Sequence, residues 1–132
     1  GVIWYPGIEE KVLEVIDRFG RRKDTVISSF NHFSILRMKE LAPDLVCGFL
    51  EESRIIGPAA YCTKHGVECW HPLCYDMTED VVKELKDAGI QINAWTVNRR
   101  EDMVDMLEKE IDGVITNFPD LFLEVRREFT GK

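Results

Sequence analysis

Three histidines, four cysteines and a scatter of carboxylates are the side chains of this 132-residue chain with the chemistry to move protons or hold a metal ion. Among them His71 stands out. Imidazole is the group best matched to proton transfer near neutral pH, and His71 directly precedes Pro72, whose ring restricts the local backbone. His32 falls at the start of a helical periodicity and His65 at the end of one, near the negative end of a helix dipole, so both are expected at the surface. Glu51 and Glu52 are neighbours. On a strand, adjacent side chains point to opposite faces, so at most one of them can enter a site as a metal ligand; a solvated loop acid is the competing reading. Arg99 and Arg100 form a basic pair that either draws in a phosphate or is simply solvated. Cys47, Cys62, Cys69 and Cys74 form neither a CxxC pair nor a zinc-site spacing, so buried free thiols are expected.

Hydrophobic period shows which elements must position these residues. Short apolar or β-branched runs at Thr25–Ser29, Leu45–Leu50, Val67–Trp70, Ile90–Val97 and Gly113–Thr116 predict five strands. Between them, apolar residues three and four apart predict amphipathic helices, with a weaker one over Ile55–His65. Thr78 is a good N-cap, Asn98 followed by Glu101 reads as a variant of the capping box, and Pro119 suits a first helical position. Gly20, Gly66 and Gly89 stand where helices should stop.

Strand starts recur roughly every 22 residues, the length of one strand plus one helix, and strands so connected run parallel. A doubly wound sheet and an arc of a (β/α)8 barrel both satisfy that repeat. Polar or aromatic clusters favour the barrel, because they end four of the five strands: Ser29-Phe30-Asn31, Trp70-His71-Pro72, Trp95-Thr96-Val97-Asn98 and Thr116-Asn117-Phe118-Pro119. In a barrel every strand end faces one mouth. The predicted fold class is therefore α/β, a parallel β/α repeat, with apolar strand runs that read as buried on both sides.

Composition narrows the function classes. With 45% apolar and 31% charged residues the chain is an ordinary globular sequence, and a net charge of −7 makes nucleic acid a poor partner. No apolar run approaches the roughly 20 residues of a membrane span, and no signal peptide opens the chain, so a soluble, cytoplasmic protein is expected.

Taken in order, VISSFN (26–31), CGFL (47–50), ECWHP (68–72), INAWTVN (92–98) and DGVITNFP (112–119) resemble the C-terminal part of the glycerophosphodiester phosphodiesterase family. The resemblance covers nearly the whole chain from Pro6 onward and implies the C-terminal half of a (β/α)8 TIM barrel, with residues 1–132 supplying five β/α units. A complete barrel needs about 250 residues. It further implies a parent protein that hydrolyses small-molecule glycerophosphodiesters to glycerol 3-phosphate and an alcohol with a divalent metal, Ca²⁺ or Mg²⁺. The family's His-Arg-Gly, Pro-Glu-Asn-Thr, His-Asp and Glu/Lys strand motifs do not occur in this sequence. Without them the chain is expected to hold no catalytic histidine and no metal of its own, and to be inactive alone.

What the resemblance leaves to this half is the substrate pocket. It implies that Trp95 lines the cleft against the glycerol carbons, and the same logic applies to Phe30 at the end of VISSFN, with core packing as the competing reading for both; His71 is a pocket wall or a structural hydrogen-bonding residue, and Asn117 replaces the Asp common in the family. The expected partner is a missing N-terminal half-barrel or a second copy of the chain. An alternative is a non-catalytic half-barrel that acts as an assembly or interaction module. A receiver-like regulatory domain is a weaker third, since the acidic pair expected after its first strand is absent.

Overall fold

Helix stops in this chain are built before the strands begin. In the computed structural model, which describes residues 5–131, Gly66 and Gly89 adopt left-handed conformations, φ 66° and 73°. The next residue's N–H then returns to the helix, Val67 to the Cys62 carbonyl at 3.0 Å and Ile90 to the Leu85 carbonyl at 2.9 Å. These are Schellman closures, each followed by a buried apolar side chain. They also correct the strand predicted from Val67, whose N–H is spent on the helix; that strand runs over Cys69–Pro72.

The chain alternates α1 (Ile8–Arg18), β1 (Val26–Ser29), α2 (His32–Leu41), β2 (Val46–Glu51), α3 (Pro58–His65), β3 (Cys69–Pro72), α4 (Glu79–Asp87), β4 (Gln91–Ala94), α5 (Arg100–Glu108), β5 (Gly113–Val114) and α6 (Pro119–Thr130). Pro58 and Pro119 occupy first helical positions, and Thr78 caps α4 by accepting from the Val81 N–H. Helix α3 starts three residues later than its periodicity, because Ile55 and Ile56 precede the left-handed Gly57 that turns the chain into it. Asn31 caps α2 through the N–H groups of Phe33 and Ser34. Asn98 does not cap α5, contrary to the capping-box expectation: the N-cap is Arg99, with no side-chain bond.

All five strands are parallel and lie in sequence order β1-β2-β3-β4-β5. Acids just before β3 and β5 fix the opposite end of the sheet. Glu68 accepts from the Cys47 N–H at 3.0 Å and Asp112 from the Ile92 N–H at 2.8 Å, so each ties its own strand to the previous one. Lys39 also grips Glu68 and the Pro43 and Leu45 carbonyls.

The helices cover one sheet face. Cys47, Phe49, Trp70, Ile92 and Ala94 alternate onto that face and pack with Ile35, Met38, Leu85, Met103 and Val125 in one core. The other face carries Val26, Ser28, Gly48, His71, Asn93 and Ile115, and its flanks are open: Val26 is 50% exposed and Ile115 41%. Burial on both sides, expected from the apolar runs, is therefore corrected for the outermost strands. A row of parallel β/α units with a bare inner face is one half of a (β/α)8 barrel. Residues 1–4 and 132 of the expected domain lie outside the described residues. No described helix is long and apolar enough to cross a membrane.

Candidate functional site

On the inner face, period-two alternation brings one polar side chain from each of three strands into a single row. Ser28 of β1 meets His71 of β3 at 2.6 Å, Oγ to Nδ1, and Asn93 of β4 reaches the other ring nitrogen at 3.0 Å, Nδ2 to Nε2. The Asn93 amide N–H donates to Nε2, so the proton of the neutral ring sits on Nδ1 and donates to Ser28. Strand β2 passes between Ser28 and His71, and the crossing is possible only because its residue there is Gly48. A Cβ at that position would stand 2.5 Å from Cε1 and Nε2 of the ring. His71 is 3% exposed although it lies on the open face, and burial pushes its imidazole down to about 4. A neutral imidazole with both nitrogens engaged is a structural hydrogen-bonding group and a poor proton carrier near pH 7.

Above that row, at the C-terminal ends of the strands, the rings of Phe30 and Trp95 meet edge to face with centroids 5.5 Å apart. Trp95 is fixed from below, its indole Nε1–H donating to the His71 carbonyl at 2.8 Å, and the Trp95–Thr96 peptide is cis. Three of the four residues expected in the pocket, Phe30, His71 and Trp95, thus form one contiguous assembly. Asn117 does not join them. It is exposed ahead of α6, whose N-cap is Phe118, and its backbone N–H donates to Asn98 Oδ1 at 2.9 Å. Asn98 also takes the Thr116 hydroxyl at 3.1 Å, so its side chain ties the β4 loop to the β5 loop.

Several other expectations are corrected at this end of the sheet. His32 is half-buried: its Nε2–H donates to the Leu50 carbonyl at 2.8 Å, Nδ1 meets the Tyr61 hydroxyl at 2.7 Å, and its ring lies 4.3 Å from Phe49. His65 is half-buried too, edge-on to Tyr61 and Phe49. The Arg99–Arg100 pair is neutralised, Arg99 by Glu101 and Arg100 by Glu124 and Glu128. Glu51 accepts the Ser53 N–H at 2.8 Å, and Glu52 is exposed. All four cysteines are free and buried, as expected, and burial drives the Cys62 thiol up to about 12. Ser28, Gly48 and Asn93 were missed, although the alternation Ile92-Asn93-Ala94-Trp95 already places Asn93 on the face of Trp95.

Among the described residues no three His, Cys, Asp or Glu side chains converge as a metal site.

Half a parallel barrel, with an aromatic pair at the C-terminal strand ends and a buried polar row beneath it, defines a protein of the α/β-barrel class. The sequence model of the Glycerophosphoryl diester phosphodiesterase family matches residues 3–121, and the chain belongs to that family. A glycerophosphodiester phosphodiesterase of Caldanaerobacter subterraneus subsp. tengcongensis is 33% identical over 128 residues, covering 97% of this chain and 53% of its own length. The crystal structure of a Thermotoga maritima glycerophosphodiester phosphodiesterase superposes with TM-score 0.69 at 26% identity, over 88% of this chain and 52% of that one. An Oleispira antarctica phosphodiesterase, solved with the product sn-glycerol-3-phosphate, shares the fold at TM-score 0.77 and 19% identity, over 89% and 49%. The chain spans about half the length of the relatives it matches.

Proposed function

We propose that this chain is the C-terminal half-barrel, five β/α units over residues 1–132, of a protein that hydrolyses glycerophosphodiesters to glycerol 3-phosphate and an alcohol. In that reaction the oxygen of water bonds to phosphorus as the phosphorus–oxygen bond to the alcohol breaks, and the alcohol leaves with a proton. This half contributes walls. Phe30 and Trp95 pack on the glycerol carbons, His71 holds Trp95 in place through its carbonyl, and Asn117 stands at the rim. The divalent cation, Ca²⁺ or Mg²⁺, and the acid–base groups belong to the other half of the barrel. The observation that carries this reading is the Phe30–Trp95 pair seated over His71 at the C-terminal ends of parallel strands, where barrel enzymes place their sites.

Release of glycerol 3-phosphate from glycerophosphocholine, with Ca²⁺ or Mg²⁺ added, tests it. The chain alone should give none, and the chain combined with its N-terminal half should give turnover. In that complete protein Trp95→Ala should raise KM about tenfold by removing the apolar wall. Turnover by the chain alone, or none from the completed barrel, would overturn the proposal.

A second reading, a non-catalytic assembly module, is favoured by the open inner face with Val26 and Ile115 exposed. It differs in expecting self-association that persists when the other half is supplied, and no activity from the mixture.

A further inference from the structure

Beside β1 lies a groove of about 570 Å³, walled by Ile8, Val12, Val26, Ile27, Ile35 and Met38 of α1, β1 and α2. Among the described residues β1 pairs with β2 alone, so its other edge presents backbone N–H and C=O groups with no strand to take them. One charged side chain stands in this largely apolar wall. Glu9, in the first turn of α1, is only 5% exposed. Its neighbour Glu10 pairs with Arg37 at 2.9 Å, whereas no Lys, Arg or His lines the groove. Three polar side chains of the wall are engaged elsewhere: Ser28 with His71, Ser29 with the Asn31 N–H, and the Asn31 oxygen with the first turn of α2. A carboxylate removed from water needs a cation or several donors, and a helix N-terminus supplies only a fraction of a unit charge. Glu9 is therefore one half of a pair.

We propose that the groove seats a strand of the N-terminal half-barrel, laid parallel along β1, and that a lysine or arginine of that segment closes on Glu9. The placement rests on the half-barrel reading above; the cation rests on Glu9 itself. The relatives are about twice as long as the stretch this chain matches, which leaves a source for the segment. A strand suits the place because it takes up the backbone groups of the β1 edge and carries side chains to both faces of the sheet at once. Glu9 is then a docking anchor, destabilising in the isolated chain and stabilising once the barrel closes.

Glu9→Gln keeps the shape of the side chain and removes its charge, and the sign of its effect in two settings tests the anchor. In the 132-residue chain alone the substitution should raise the urea midpoint by about 0.5 M, because an unmatched carboxylate is gone. In the complete protein, both halves in one chain, it should lower the midpoint by about 1 M, and Glu9→Lys should lower it further. Any other pattern overturns the proposal: a fall in both settings makes Glu9 a local helix-end residue, and a rise or no change in the complete protein removes the cation. A midpoint of the chain alone that climbs with its concentration, and ceases to do so in Glu9→Gln, would give the groove to a second copy and overturn it as well. Failure of the phosphodiesterase reading looks different. Opposite shifts with no release of glycerol 3-phosphate from the complete protein would strike that reading and leave the anchor, whereas release with shifts of one sign would strike the anchor alone.

Discussion

His71 shows how one residue's burial becomes a property of the molecule. Its ring is pushed from 6.5 in the unfolded chain to about 4 in the fold because the charged form is desolvated. Between those two values the unfolded chain binds more protons than the folded one, so stability rises with pH across the window. The contribution is fully present above about pH 6.5 and is lost as the solution is acidified towards 4. From pH 7.5 to 4.5 the loss amounts to about 2 to 3 kcal/mol. Urea unfolding of the natural chain and of His71→Gln at both pH values isolates this group from the carboxylates. The advantage of the natural chain over the variant should shrink by that amount at pH 4.5; parallel behaviour of the two would remove burial of a neutral imidazole as the cause.

At the scale of the element, the helix stops decide where strands begin, and one of them is built from the wrong residue. Helix α5 closes like α3 and α4, the Ile111 N–H returning to the Met106 carbonyl at 3.0 Å, yet the left-handed position is Glu110 at φ 54°. A side chain in that conformation costs about 1 kcal/mol relative to glycine. The Glu110 carboxylate offsets little of this, being 84% exposed and 3.6 Å from Lys86. Glu110→Gly should therefore raise the midpoint of thermal unfolding by several degrees. A lower midpoint would show that the left-handed turn is not the limiting strain of that junction.

On the scale of the whole molecule, the decisive feature is a sheet with helices on one face and, among the described residues, two edge strands without a further neighbour, β1 and β5. Unpaired backbone edges and exposed apolar side chains such as Val26 drive association. Sedimentation velocity on the chain alone at micromolar concentration should show dimers or larger species, which give way to a one-to-one complex when the N-terminal half is supplied. A stable solitary monomer under the first condition would mean that the inner face tolerates water, and would remove the physical basis for a completing partner.

The five-unit repeat, the parallel order and the helix stops at Gly66 and Gly89 were all determined by the sequence itself, because hydrophobic period and backbone chirality act over a few residues at a time. That Phe30, His71 and Trp95 lie towards the C-terminal ends of their strands was legible too, and the fold brings the three into contact. Tertiary structure alone decided the rest. Gly48 became the passage under His71, Asn93 its partner and Asn98 a tie between loops only when strands 20 or so residues apart came into register. His32 became a half-buried bridge for the same reason, since its partners Leu50 and Tyr61 lie on the next strand and the next helix. Contacts made across the sheet depend on which residues face each other, and no local pattern in the chain records that.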